Sequence, residues 1–281
     1  MNNTFSGYIR MMSHTGLSPV QYTFNLSNYP NIIKKNIGEI VQSSFKINEL
    51  LGTKISLKFS GEIRCVDCGK LTKKSFNGGS CYKCFISLAS NDLCILKPSL
   101  CHYEIGTCRE PDWGKSNCFK KHIVYLANST GIKVGITKEN PYSKRWVDQG
   151  AISGLPIFEV ESRKQSGEIE EEFAKFISDK SSWQKLISED SGPIDLKEKF
   201  MELQTKIDWK SFGQSIKILD EEVIHITYPI QSYPLKKSSL KPDPLKPLHG
   251  KLIGIKGQYL LFEQGGINIR SLEGHFLEIS W

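Results

Sequence analysis

The fold turns on two short runs, His122-Ile-Val-Tyr-Leu-Ala127 and Ile132-Lys-Val-Gly-Ile-Thr137, separated by the polar turn Asn128–Gly131. Two apolar, β-branched runs around a small turn predict a β-hairpin. Ile123 to Ala127 is apolar at every position, so its strand is central, covered on both faces. Lys133 interrupts the second run, and Gly135 lets a neighbouring backbone or side chain approach closely. Tyr142 to Gly150 then predicts a short helix closed by Gly150, in which Arg145 and Trp146 point ~100° apart. A strand follows around Ile157 to Val160. A second helix is predicted from Ser166, with Ile169, Phe173, Phe176 and Ile177 on one stripe and Glu170 and Glu172 on its flanks.

Outward from this core, Asp195 to Phe212 reads as an amphipathic helix whose apolar residues are Phe200, Met201, Leu203, Ile207 and Trp209. Residues 236–249 carry Pro242, Pro244 and Pro247 among lysines, an extended segment. Leu252 to Ile279 reads as a β-meander with glycine turns. At the other end, Gly7 to Met12, Val20 to Leu26 and Lys54 to Arg64 read as strands, with Ile55, Leu57 and Phe59 on one face. The expected fold is α+β: a β-rich domain formed by the N- and C-terminal segments, with a zinc-binding module and an α/β domain inserted between them. The expected regions are 1–64, 65–122, 123–215 and 216–281.

All eight cysteines fall between Cys65 and Cys118. Cys65-Val-Asp-Cys68 and Cys81-Tyr-Lys-Cys84 make a C-x2-C, twelve-residue, C-x2-C pattern. Each half folds back on itself so that four sulfurs converge, which suits a structural zinc; an iron–sulfur cluster is the alternative. Lys73, Lys74 and Phe76 lie in the intervening hairpin, available to nucleic acid. Cys94, Cys101, Cys108 and Cys118 form a looser set that matches no common finger spacing. A second metal site is expected there, with His102 or His122 able to replace one thiolate; buried free thiols are the alternative.

The chain has 281 residues and a formal net charge of +7, which permits a polyanionic partner without requiring one. Residues 64–121 hold ten Lys and Arg against five Asp and Glu, a surplus that two four-thiolate zinc sites would largely cancel. Residues 233–256 hold six lysines against Asp243 alone. No apolar run approaches the ~18 residues of a membrane span, and the first residues do not have the pattern of a signal peptide. The expected compartment is the cytosol, where cysteines more often hold metal than form disulfides.

The runs from Tyr125 and from Lys133-Val-Gly-Ile-Thr137 resemble the paired strands of GIY-YIG nucleases, whose order of parts is hairpin, helix with an Arg, strand, helix with a carboxylate. The chain as a whole also resembles a bacterial family of unknown function. That likeness rests on the four-cysteine knuckle, Cys101-His102, Gly106 to Arg109, Trp113-Gly114, Cys118, His122, Lys133 to Thr137 and Arg145 to Ala151. The GIY-YIG resemblance implies phosphodiester hydrolysis assisted by one Mg²⁺ or Mn²⁺. Tyr125 would position the attacking water, Arg145 would steady the phosphate and Glu170 would hold the metal. Lys133 stands where that family has its second Tyr; it could hold phosphate or, with its pKa lowered by burial, act as base. The expectation is therefore a nucleic-acid hydrolase with structural zinc. The alternative is a non-catalytic RNA- or DNA-binding protein of the same fold, and a third reading is a zinc-stabilised scaffold for protein partners. Hydrolysis requires that the phenol, guanidinium and carboxylate meet around one open, phosphate-sized hollow.

Overall fold

A computed structural model describes residues 3–28, 41–138, 143–177, 182–188, 192–207, 212 and 216–281. The class is mixed α+β and rich in sheet. Four strands open the chain: β1 (Thr4–Thr15), β2 (Gln21–Ser27), β3 (Val41–Lys46) and β4 (Lys54–Ile63). Helix α1 (Tyr82–Ser87) follows, then the short helices α2 (Leu93–Leu96) and α3 (Pro111–Asn117). Next come β5 (His122–Asn128), β6 (Ile132–Lys138), α4 (Ser143–Asp148), β7 (Ser153–Val160) and α5 (Arg163–Ala174). After α6 (Trp183–Leu186) and α7 (Leu196–Gln204) lie the two-residue strands β8 (Lys217–Ile218) and β9 (Ile224–His225). The chain closes with β10 (Leu248–Lys256), β11 (Tyr259–Phe262), β12 (Gly265–Asn268) and β13 (His275–Ser280). Two compact units result: Met1–Ile86 with Ile187–Glu189 and Thr227–Trp281, and Ser87–Leu186 with Asp190–Ile226.

The first unit is built on an eight-stranded sheet in the order β12-β11-β10-β4-β13-β1-β2-β3. The first and last strands of the chain pair antiparallel, Thr4 opposite Ser280 and Tyr8 opposite Phe276. On β4 the alternation is direct: Ile55, Leu57 and Phe59 are buried while the residues between them are not. Each such side chain contributes ~1.5–3 kcal/mol by leaving water. The register of β1 against β2 slips between Arg10 and Ser13. There the buried Gln258 takes the place of a strand partner, accepting from the Met12 backbone N–H at 2.9 Å and donating to the Met12 carbonyl at 3.0 Å.

The second unit holds a sheet in the order β6-β5-β7-β8, with β9 also on β7. Every residue of β5 is buried, as a central strand requires. The register of β5 against β7 shifts between Val124 and Tyr125, opposite Phe158 and Pro156. Pro156 has no N–H to give, and the bulge absorbs the missing ladder bond. Val124 and Leu126 join a core with Leu155 and Ile157 of β7, Ile169 and Phe173 of α5, and Leu196 and Leu203 of α7. Alternation turns Tyr125 to the opposite face, against Trp146 of α4.

Several element boundaries differ from the sequence expectation. Helix α5 starts at Arg163, not Ser166, because Ser162 accepts from the Gln165 backbone N–H as its N-cap. It ends at Ala174, so Phe176 leaves the apolar stripe and is exposed. Asp195 caps α7, accepting from Lys197 and Glu198 backbone N–H groups. Met201 faces solvent, and Trp209, like Tyr142, lies outside the described residues. Residues 65–122 do not form one body. The knuckle grows from the end of β4, where Arg64 N–H bonds to the Gly274 carbonyl. The later cysteines belong with the second unit, where Gly167 of α5 meets Pro98 and Ser99 so closely that a Cβ would lie 2.6 Å from each. Among the described residues no helix is long and apolar enough to cross a membrane.

Candidate functional site

The spacing of Cys65, Cys68, Cys81 and Cys84 does what it promised. Their four sulfurs lie within 4.8 Å of one another, with Cys68 and Cys81 3.8 Å apart. A tetrahedron of sulfurs at ~2.3 Å from zinc has edges of ~3.8 Å, so the set fits that ion. Gly69 N–H turns back to the Cys65 carbonyl at 2.8 Å, and Cys81 N–H donates to Cys65 Sγ at 3.1 Å. Burial pushes the Cys65 thiol up to about 11 and raises Cys84 as well. Such thiols become thiolates near neutral pH when a cation takes the place of the protons.

The knuckle displays a basic and aromatic surface. Lys70, Lys73, Lys74 and Lys83 are exposed. Phe76 stacks against Phe85 at 5.4 Å and touches Tyr82 at 5.7 Å, between ring centroids. Tyr82 remains 59% exposed.

Cys94, Cys101, Cys108 and Cys118 line one small pocket together with Asp92, His102, Trp113 and Gly114. The tightest donor set in it is Asp92, Cys94 and His102, all within 4.8 Å. His102 Nε2 lies 3.3 Å from Asp92, which also accepts from Arg109 Nε at 2.8 Å. His122, the other imidazole weighed for this group, is not among the residues that line this pocket. It is fully buried on β5, its Nδ1 2.7 Å from the Lys120 carbonyl, and burial lowers its pKa to about 4.

The four hairpin and helix residues are distributed as follows. Tyr125 is 1% exposed, its hydroxyl donating to Gln149 Oε1 at 3.2 Å. Gly135 sits opposite it, and a Cβ there would lie 2.6 Å from the phenol oxygen. Lys133 pairs with Ala127, two residues from Tyr125, and so shares its face; it is half-buried. Arg145 is exposed on α4. Glu170 is half-buried on α5, whose apolar residues cover the other face of the sheet.

Sequence reasoning missed Arg163. It begins α5, donates from Nη2 to the Ile95 carbonyl at 2.7 Å, and leaves Nε buried with no partner among the described residues. Burial lowers its pKa; Cys118 and Glu170 oppose that shift and Arg145 adds to it. Nothing in the run Ser162-Arg-Lys-Gln marks one cation as partly enclosed; only the position of the cap does.

A family model described as "Protein of unknown function (DUF2797)" matches residues 52–277. No curated protein and no solved structure matches the chain.

Proposed function

Since the chain belongs to this family of proteins of unknown function, its role must be read from its own side chains, and we propose that it is a zinc-knuckle protein that binds single-stranded nucleic acid. The observation that carries this reading is that the knuckle exposes both cations and a ring: Lys73, Lys74, Lys83 and Tyr82. Lysines hold phosphates at a distance set by the backbone, and a free aromatic face accepts a base by stacking, worth ~1–3 kcal/mol per base. Zinc in the four-cysteine cluster is structural in this reading. With four protein ligands it keeps no open position for chemistry, and it fixes the hairpin that carries the lysines.

The sealed phenol favours binding over hydrolysis. With Tyr125 inside the unit, the exposed part of the hairpin–helix region is cationic, Lys144 and Arg145, which suits holding a phosphate more than activating a water. A second reading, Mg²⁺- or Mn²⁺-assisted hydrolysis of the GIY-YIG kind, has support of its own. Hairpin, helix, strand and helix follow one another as the resemblance implies, and Arg145 and Glu170 both act electrostatically on Arg163.

Fluorescence anisotropy with labelled RNA and DNA, with Mg²⁺ or Mn²⁺ present and products run on a gel, separates the readings. Binding is expected to weaken with salt, and the Lys73→Ala/Lys74→Ala variant to flatten the log–log salt slope by ~0.7 per lysine. Uncut substrate is expected throughout. Cutting that is lost in Arg145→Ala or Glu170→Ala, with binding intact, would establish hydrolysis instead. Absence of binding at moderate salt would leave the protein-scaffold reading.

A further inference from the structure

We propose that Cys94, Cys101, Cys108 and Cys118 form a second metal centre, separate from the knuckle, in which four thiolates close on one zinc-class ion. All four cysteines line the same pocket, though among the described residues only Asp92, Cys94 and His102 have donor atoms within 4.8 Å of one another there. None of their thiols has a hydrogen-bond partner among the described residues. The non-thiol donors beside them are already engaged: Asp92 by Arg109 at 2.8 Å, and His102 by Thr107 at 2.7 Å through Nδ1 and by Asp92 through Nε2. Asp92 and His102 therefore brace the pocket wall, and the thiols are the donors there that remain without a partner among the described residues.

The segment that carries these cysteines buries little apolar surface of its own. Its helices α2 and α3 span four and seven residues. Leu93, Leu96, Leu100, Ile105 and Phe119 are all exposed, Leu96 and Ile105 by more than 70%. A stretch that buries so little apolar surface needs a staple, and a metal supplies one. Soft sulfur donors select zinc or a similarly thiophilic ion over magnesium or calcium.

The surroundings also match the charge that such a centre would carry. Four thiolates around a divalent ion leave a net charge of −2, and each thiol that binds gives its proton to solvent. Arg163, half-buried with its Nε enclosed and unpartnered among the described residues, acts electrostatically on Cys118 and Cys94, Lys138 on Cys118 and Lys164 on Cys101. A guanidinium with an enclosed, unpaired N–H is stabilised by a negative group nearby; the thiolate centre provides that group.

The test is metal content of the full chain, purified with zinc and measured by elemental mass spectrometry. The expected result is two zinc ions per chain, falling to one in Cys108→Ser and in Cys118→Ser, and also to one in Cys68→Ser. A wild-type chain with one zinc overturns the proposal, and so does a Cys108→Ser or Cys118→Ser protein that keeps two. Should those variants fail to fold, cobalt titration of the metal-free wild type decides. Two successive equivalents, each with thiolate-to-cobalt charge-transfer absorption, are expected; a second equivalent without that band rules the thiolate set out. Asp92→Asn and His102→Gln are expected to retain both ions. Loss of the second ion in either would assign it to the Asp92, Cys94 and His102 donors instead.

Discussion

Tyr125 and Gly135 face each other across β5 and β6, the phenol lying over the one residue that has no side chain to obstruct it. Gly135→Ala would bring a Cβ to 2.6 Å from the hydroxyl, so ring or strand must shift. A cost of ~1–3 kcal/mol is expected from overpacking, read as a lower urea midpoint. Tyr125→Phe removes only the hydroxyl and its bond to Gln149, ~1 kcal/mol. Nucleic-acid affinity is expected to be the same in Tyr125→Phe as in the wild type. A tenfold loss of affinity at unchanged stability would place the phenol at the binding surface.

Gln258 acts as an extra strand residue at the β1 bulge, satisfying both backbone groups of Met12. Gln258→Leu fits the space and leaves that N–H and that carbonyl buried and unpaired. Each such group costs ~1–3 kcal/mol, so a total loss of ~2–6 kcal/mol is expected in urea unfolding. Gln258→Glu sets a buried carboxylate oxygen against the Met12 carbonyl, and is expected to cost at least as much as Gln258→Leu at neutral pH. A neutral Gln258→Leu would mean that the bulge relaxes or admits water.

How far the sequence reached differs by element, for physical reasons. The four-cysteine cluster was legible because C-x2-C folds locally and needs no knowledge of the rest of the chain. The central strand was legible because an unbroken apolar run demands cover on both faces. That same run hides where Tyr125 points: alternation places it with Lys133 and away from Val124, and cannot say which face is open. The start of α5 slipped because both Ser162 and Ser166 are plausible caps, and only the bond to Gln165 N–H decides between them. Cys94 to Cys118 converge on one pocket through a path of short helices and turns that no periodicity describes.

Loss of zinc from the knuckle should be a local event. Hairpin residues 65–84 contribute few buried apolar groups, whereas β4 and β1 are held by Ile55, Leu57, Phe59 and Ile9. Cys81→Ser, or treatment with a chelator, is expected to release the knuckle zinc and speed amide exchange across 65–84 by at least a hundredfold. Exchange in β4, β13 and β1 is expected to remain slow, and binding to weaken because Lys73, Lys74 and Tyr82 lose their common support. Loss of protection spreading through the whole sheet would show that zinc holds the first unit and not merely its hairpin.

His122 supplies a pH dependence whose sign is fixed by burial. Its ordinary pKa of 6.5 falls to about 4 in the folded chain. Between those values the unfolded chain takes up a proton that the folded one refuses, so acidification favours unfolding. The stability at stake is fully present above pH 6.5 and is lost as pH falls toward 4, by ~3 kcal/mol at most. Metal release by thiolate protonation also destabilises the chain in acid, but it is common to wild type and a His122 variant. The informative quantity is therefore the difference between wild type and His122→Asn in urea unfolding from pH 7.5 to 4.5. That difference is expected to shrink as pH falls, by ~1.4 kcal/mol per pH unit well below 6.5. A difference independent of pH would mean that His122 titrates in the fold as it does in the unfolded chain, and would remove the buried imidazole from the causes of acid lability.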